Sequence, residues 1–337
     1  MVEIRLVDPF DGTAFGAWHA AMSEGALAGR TAATVSSIEA MTASLQDPSE
    51  LLRRLAVGAF EADRCVGSLL YELPLKHDLD TVLTEINVPP GHRGRGVGSA
   101  LWDWAASRAK VDGRSIFQVE VNIPEGQTAR TWAGAVFAER RNFTIGNVED
   151  RLIVGLPFAA HLLADLEASV AGLTGYRTVS WVDACPQEHL QSFADLNTEM
   201  STDVPTGTVT RDVVVYEPER IRLSEQRMAP NWTTLTTLAV AEDGTPVGYT
   251  SMFLPRTGSD YVLQDDTLVL AARRGRRLGT LLKVTNLRQL ERLPFDVIAR
   301  RTVLQTYTAK NNVPMQKVNA RFGFRPVEAM YEYERTS

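Results

Sequence analysis

The sequence is sparing with several residue types, and each shortage excludes something. Cys65 and Cys185 are the two cysteines of 337 residues, 120 positions apart, so neither a disulfide framework nor a cysteine metal motif is present. The five histidines show no HxxxH or HxH spacing, which argues against a metal site. No apolar run approaches the length of a membrane span. The first residues, MVEIRLVDPF, lack a basic segment followed by an apolar one, so no export signal is read. Reduced thiols and a cytoplasmic location are the expectation. Cys185 precedes Pro186 at an expected helix start, where a thiol is somewhat acidified. Positive charge is also short: the formal net charge is −6, which argues against nucleic acid as a partner.

What is present is bulk for two cores and a pattern written twice. A hydrophobic content of 44% with 23% charged residues is that of a globular protein, and the length suits two domains. The stretch GHRGRGVGSAL at 91–101 aligns with ARRGRRLGTLL at 272–282. With Arg93 and Arg274 as paired origins, Gly67 and Gly248, Glu85 and Asp266, and Phe143 and Phe324 fall at matching offsets. Each half predicts a first strand, helical material, a hairpin, a strand leading into the Arg–Gly turn, a helix, a strand, a helix and a last strand. The fold class is therefore α/β with a mixed sheet. The expected domains are 1–156, a helical linker at 157–173, and 174–337.

A strand, a glycine-rich basic turn and a helix suit a diphosphate. The first amides of a helix have no intrahelical partner, and glycine lets the main chain approach an anion. A basic surface turn would look much the same. Arg277, where the first half has Gly96, falls in an expected first helical turn with ordinary right-handed backbone. A dinucleotide-binding oxidoreductase is disfavoured, because the turn follows antiparallel strands and opens no βαβ unit.

The order of hairpin, strand, Arg–Gly turn, helix, strand and helix with a terminal Gly-Phe resembles the GNAT superfamily of acyl-CoA-dependent N-acetyltransferases, once per half. The whole resembles the tandem members of that superfamily. The resemblance implies acetyl-CoA as co-substrate and no metal. Its pyrophosphate would lie against Arg93, Gly94, Arg95, Gly96, Gly98 and Ser99, with Val88 before them. In the second half the counterparts are Arg274, Gly275, Arg276, Gly279 and Thr280, with Val269 at an expected strand bulge. On the following helix the family places an Asn and a Tyr. Asn312 and Asn319 hold those positions in the second half, whereas Thr131 and Ala138 hold them in the first. This implies chemistry in the second half and a largely structural first half. Asn312 as a helix cap is the alternative.

Direct transfer to an amine needs a base, and Asp266 and Glu85 on the strands before the turns are candidates. A solvated face is the alternative for both. Tyr307 is a candidate acid, with Tyr331 and Tyr333 behind it. The implied partner is a small-molecule or peptide amine, with no nucleic acid and no membrane, and the implied state is monomer or homodimer. The competing function is a CoA-binding scaffold with two degenerate halves.

Overall fold

A computed structural model describes residues 2–47 and 49–337. The chain packs as two compact units. The first comprises residues 1–149, 206–212 and 328–337, and the second comprises 150–205 and 213–327. The sequence-order division at 156 and 174 therefore differs from the packing. Two later stretches are built into the first unit, and the expected linker packs within the second.

In chain order the elements begin with β1 (Glu3–Val7), α1 (Gly12–Leu27), α2 (Ile38–Gln46), β2 (Leu52–Glu61), β3 (Arg64–Pro74) and β4 (Thr81–Asn87). There follow α3 (Val97–Val111), β5 (Ile116–Pro124), α4 (Ala133–Glu139), β6 (Thr144–Gly155) and α5 (Ala160–Val170). Next come β7 (Tyr176–Val182), α6 (Leu190–Asp203), α7 (Pro218–Met228), β8 (Trp232–Ala241), β9 (Pro246–Pro255) and β10 (Tyr261–Val269). The last are α8 (Leu278–Glu291), α9 (Phe295–Ile298), β11 (Val303–Ala309), α10 (Val313–Arg321) and β12 (Arg325–Thr336).

Local chemistry accounts for several boundaries. Asp11 caps α1 by accepting from the amides of Thr13 and Ala14, and Ser37 caps α2 through the amide of Ala40. The β8–β9 hairpin turns at Asp243-Gly244, where Gly244 has φ +86° and Asp243 Oδ1 accepts from the Thr245 amide.

The sheet of the first unit runs β1-β2-β3-β4-β5-β12. Alternation along the strands sorts its two faces. Val57, Leu69, Tyr71, Val82, Phe117 and Tyr333 pack on one side with Leu101, Trp102 and Ala105 of α3. Val7, Ala56, Phe60 and Leu70 pack on the other with Phe15, Trp18 and Met22 of α1. In the second unit the order is β11-β10-β9-β8-β7. There Trp181, Leu238, Tyr249 and Leu268 meet α6 and α7, while Leu235, Met252 and Leu304 meet α8 together with Leu163 and Leu166 of α5.

Candidate active site

In the first unit β4 passes through a short turn at Pro90–His92 into α3. Gly94 and Gly96 have φ of +72° and +83°, and no atom lies within 4 Å of where a Cβ would stand on either. Left-handed backbone favours glycine here, and glycine leaves the turn's surface bare. Gly96 caps α3 without any side-chain hydrogen bond, and the first intrahelical bond runs from Ala100 N–H to Gly96 C=O. The amides of Val97, Gly98 and Ser99 therefore have no partner within the helix. Arg93 is held against the turn's base, its Nε donating to Val88 C=O at 2.8 Å and Nη2 to Gly25 C=O at 3.2 Å. Arg141 reaches in from beyond α4 and donates to Ser99 Oγ at 2.7 Å. Bare left-handed glycines, free amides and flanking guanidinium groups fit a diphosphate such as that of acyl-CoA.

The second turn copies this scaffold: Arg274 Nε donates to Val269 C=O at 2.9 Å, as Arg93 does to Val88. Arg277 differs from its expectation. It is the cap of α8 with φ +61° and ψ +15°, in left-handed rather than right-handed backbone, which is costly for a residue with a Cβ. Its guanidinium donates to Ser169 C=O at 2.9 Å. Arg274 also meets Asp203 at 2.5 Å, Arg276 donates to Tyr176 Oη at 3.2 Å, and Thr280 is buried. The cations of the second turn are thus engaged by neighbouring protein groups. Gly275 at φ +77° and Gly279 keep open surroundings. The irregularity expected near Val269 lies earlier: the β9–β10 register slips by one residue between Gln264 and Thr267, and Val269 pairs normally with Gly248.

Both asparagines at α10 have partners within the protein. Asn312 is the helix cap and accepts from the Met315 amide at 3.2 Å. Asn319, 1% exposed, accepts from Lys283 Nζ at 3.1 Å and donates to Thr308 Oγ1 at 2.9 Å. Lys283 is itself 2% exposed, and burial lowers its pKa to about 7. Nothing in the sequence reading singled it out. Its place on the buried stripe with Val284 and Leu287 is the signal that was available.

The strands part in both units. β4 and β5 pair in parallel at Thr81–Leu83 with Ile116–Gln118, and β10 and β11 at Tyr261–Leu263 with Val303–Gln305. Two residues past the last pair stand Glu85 and Glu120 in the first unit, and Asp265 and Tyr307 in the second. Asp266 accepts from Tyr249 Oη at 2.8 Å beneath α6, and burial raises its pKa. Tyr307 lies within electrostatic reach of Tyr261.

The first unit's opening is lined with acid. Glu85 accepts from Asn87 Nδ2 at 2.8 Å; it is ringed by protein atoms yet open to solvent, as on the floor of a trough, and its pKa is raised by burial. Glu120 is similarly placed, and burial with the charges of Glu332 and Glu85 raises its pKa to about 7. Glu332 is Glu120's direct partner in the β5–β12 ladder and meets Asn147 and Arg211. Glu149 follows, its pKa also raised to about 7 by burial and by Glu332.

Tyr331 and Tyr333 lie in the first unit, and Tyr333 Oη donates to Glu139 at 3.1 Å. Burial and Glu225 raise the Cys185 thiol to about 12, opposite to the expected acidification. Among the described residues no group of three or more His, Cys, Asp or Glu side chains is arranged to hold a metal, and no helix is long and apolar enough to cross a membrane.

Residues 26–130 match the model of the Acetyltransferase (GNAT) family. The matched stretch lies within the first unit. The fold of the whole chain is that of a tandem GNAT protein: one from the clavulanic acid biosynthesis pathway superposes with a TM-score of 0.80 at 24% identity, covering 100% of this chain and 98% of that one. A GCN5-related N-acetyltransferase from Sphaerobacter thermophilus gives 0.61 at 15% identity, covering 99% and 95%. The Saccharomyces cerevisiae N-myristoyltransferase solved with bound myristoyl-CoA gives 0.59 at 11%, covering 99% and 79%. Among curated proteins, none matches the sequence.

Proposed function

We propose that the protein is an acyl-CoA-dependent N-acyltransferase, with acetyl-CoA as donor and a primary amine as acceptor, and that the first unit does the chemistry. The observation that carries this reading is the conjunction in one unit of a bare left-handed glycine turn with an acid-lined parting of the strands it follows. Gly94, Gly96, Gly98, Ser99 and Arg93 would hold the diphosphate, and the bound thioester supplies an activated acyl group. An amine enters as an ammonium ion and must lose a proton before it can attack. Glu120, its pKa raised to about 7 by burial and neighbouring acids, suits proton transfer near neutrality and takes that proton, with Glu85, also raised by burial, across the parting. The family match over residues 26–130 supports the same assignment.

This reading reverses the division of labour implied by the α10 motif. The second unit keeps a usable turn, but Asn312 and Asn319 are occupied and Asp266 is held by Tyr249. We assign it a structural or CoA-holding role. The domains remain a GNAT-like first half and second half in sequence order, with the cytoplasm as location.

The test is calorimetric titration of acetyl-CoA into the wild type, Gly96→Glu and Gly279→Glu, followed by a CoA-release assay over a panel of amines. Loss of turnover in Gly96→Glu and Glu120→Gln, with turnover kept in Gly279→Glu, is expected. Turnover lost only in Gly279→Glu assigns the chemistry to the second unit. Acetyl-CoA binding with no CoA release from any amine favours the scaffold.

A further inference from the structure

The carboxylates of the first unit outnumber what one acceptor amine requires. Because directly opposite residues of a ladder project to the same face, Glu85 and Asn87, opposite Leu70 and Ser68, lie on the α1 side of the sheet. Glu120 and Asn122 share that side, since Phe117 and Ile123 face α3, and so does Glu332 opposite Glu120. With Glu149 the acids form a row over β4, β5, β12 and β6, roughly 10 Å from Glu120 to Glu149 at ordinary strand spacing, with Glu85 across the parting of β4 and β5.

Neighbouring acids on this side are already matched. Arg30 holds Glu328 in a fork at 2.7 and 2.8 Å, Arg54 holds Glu72, and the Thr210 amide and Gln118 satisfy Glu334. Arg211 covers Glu332. Glu85, Glu120 and Glu149 have no ion pair among the described residues.

A second observation is independent of the charges. Ser68, 0% exposed and across the ladder from Asn87, has an Oγ with no hydrogen-bond partner. Asn122, two residues beyond Glu120, has a buried Oδ1 with no donor. Buried polar atoms are ordinarily paired, so the same face lacks donors as well as cations. An ion with several N–H groups provides both. A metal fits poorly, because the acids lie on separate strands in a row instead of converging.

We infer that the acceptor in the first unit is a di- or polyamine, its reacting nitrogen at Glu85 and Glu120 and its second ammonium at Glu149. The inference rests on the acyl-transfer reading above and names its substrate class. Glu149 then acts as a specificity residue: it holds the far ammonium and draws the acceptor across the row. Because Glu120 and Glu149 carry protons part of the time near neutrality, binding of a dication expels protons into the buffer.

The experiment is titration of the full chain, with CoA bound, by 1,4-diaminobutane, spermidine and 1-aminobutane, in two buffers of different ionisation enthalpy. CoA release with acetyl-CoA is measured in parallel. The diamine is expected to bind about tenfold or more tighter than the monoamine, with buffer-dependent heat showing proton release, and Glu149→Gln is expected to remove most of that advantage. Retained acetyl-CoA affinity in Glu149→Gln shows that the variant is folded. Equal affinity for monoamine and diamine, or a preference that survives Glu149→Gln, overturns the inference but leaves acyl transfer standing. Diamine preference without any CoA release upholds the cation site and overturns the acyl-transfer reading. Binding of none of these amines overturns the inference, whatever the acetyl-CoA result.

Discussion

Glu120 on β5 and Glu332 on β12 stand directly opposite one another in an antiparallel ladder. Like charges in that position repel, so the arrangement is destabilising wherever both are ionised. Arg211 relieves Glu332, and proton uptake by Glu120 relieves the remainder.

The first prediction concerns stability against pH. Glu120 and Glu149 titrate at about 7 in the folded protein, above the ordinary carboxylate value of 4.5. A carboxyl raised on folding contributes stability that is complete below its unfolded pKa and is lost as pH rises through the folded one. The first unit should therefore be more resistant to urea at pH 5.5 than at pH 8.5, and Glu149→Gln should flatten the difference. An unchanged midpoint across that range in the wild type contradicts the burial of these groups.

Catalysis should run the other way. A base must be unprotonated to accept from the ammonium, so kcat/KM is expected to rise through about pH 7 with Glu120. Glu120→Gln should remove that limb and lower the rate by about 100-fold or more.

Lys283 gives the opposite titration in the second unit. Its pKa falls from 10.5 unfolded to about 7 folded, so folding costs more as pH drops from 10 to 7. Unfolding free energy in the wild type should therefore rise as pH goes from 7 to 10, by as much as a few kcal/mol, on the order of 1.4 kcal/mol per pH unit. Lys283→Met should abolish the rise, as read by urea denaturation at each pH.

Among the left-handed residues of the turns, Gly96 and Arg277 should respond in opposite senses. Gly96→Ala places a Cβ on a φ of +83° and should cost about 1–2 kcal/mol, whereas Arg277→Gly should relieve a comparable strain at φ +61°. Thermal unfolding of both variants checks the signs.

The sequence made the duplication legible because its markers are local. Arg93 and Arg274 sit at equivalent junctions and grip equivalent carbonyls, and the glycines before and after them are spaced alike. The turns are short-range objects whose chemistry lies within seven residues. The acid row is not: Glu85, Glu120, Glu149 and Glu332 come from separate strands, and only the register that sets Glu332 against Glu120 joins them. Of these, Glu85 alone was visible, through its offset match to Asp266. The handedness of Arg277 was misjudged because Gly96, the residue it replaces, is the helix cap and lies outside the helix's first turn. Asn319 looked available because a motif position says nothing of a lysine thirty-six residues earlier that claims its amide oxygen.

The strand Glu328–Thr336 pairs with β5, although more than two hundred residues separate them along the chain. During synthesis the ribosome delivers β5 long before its companion, so one edge of the early sheet must stand open while everything between is made. The acid row stands incomplete in that interval, because Glu332 and Arg211 both arrive late. A ligand that needs the complete row is therefore bound only after Glu332 has been made and paired with Glu120.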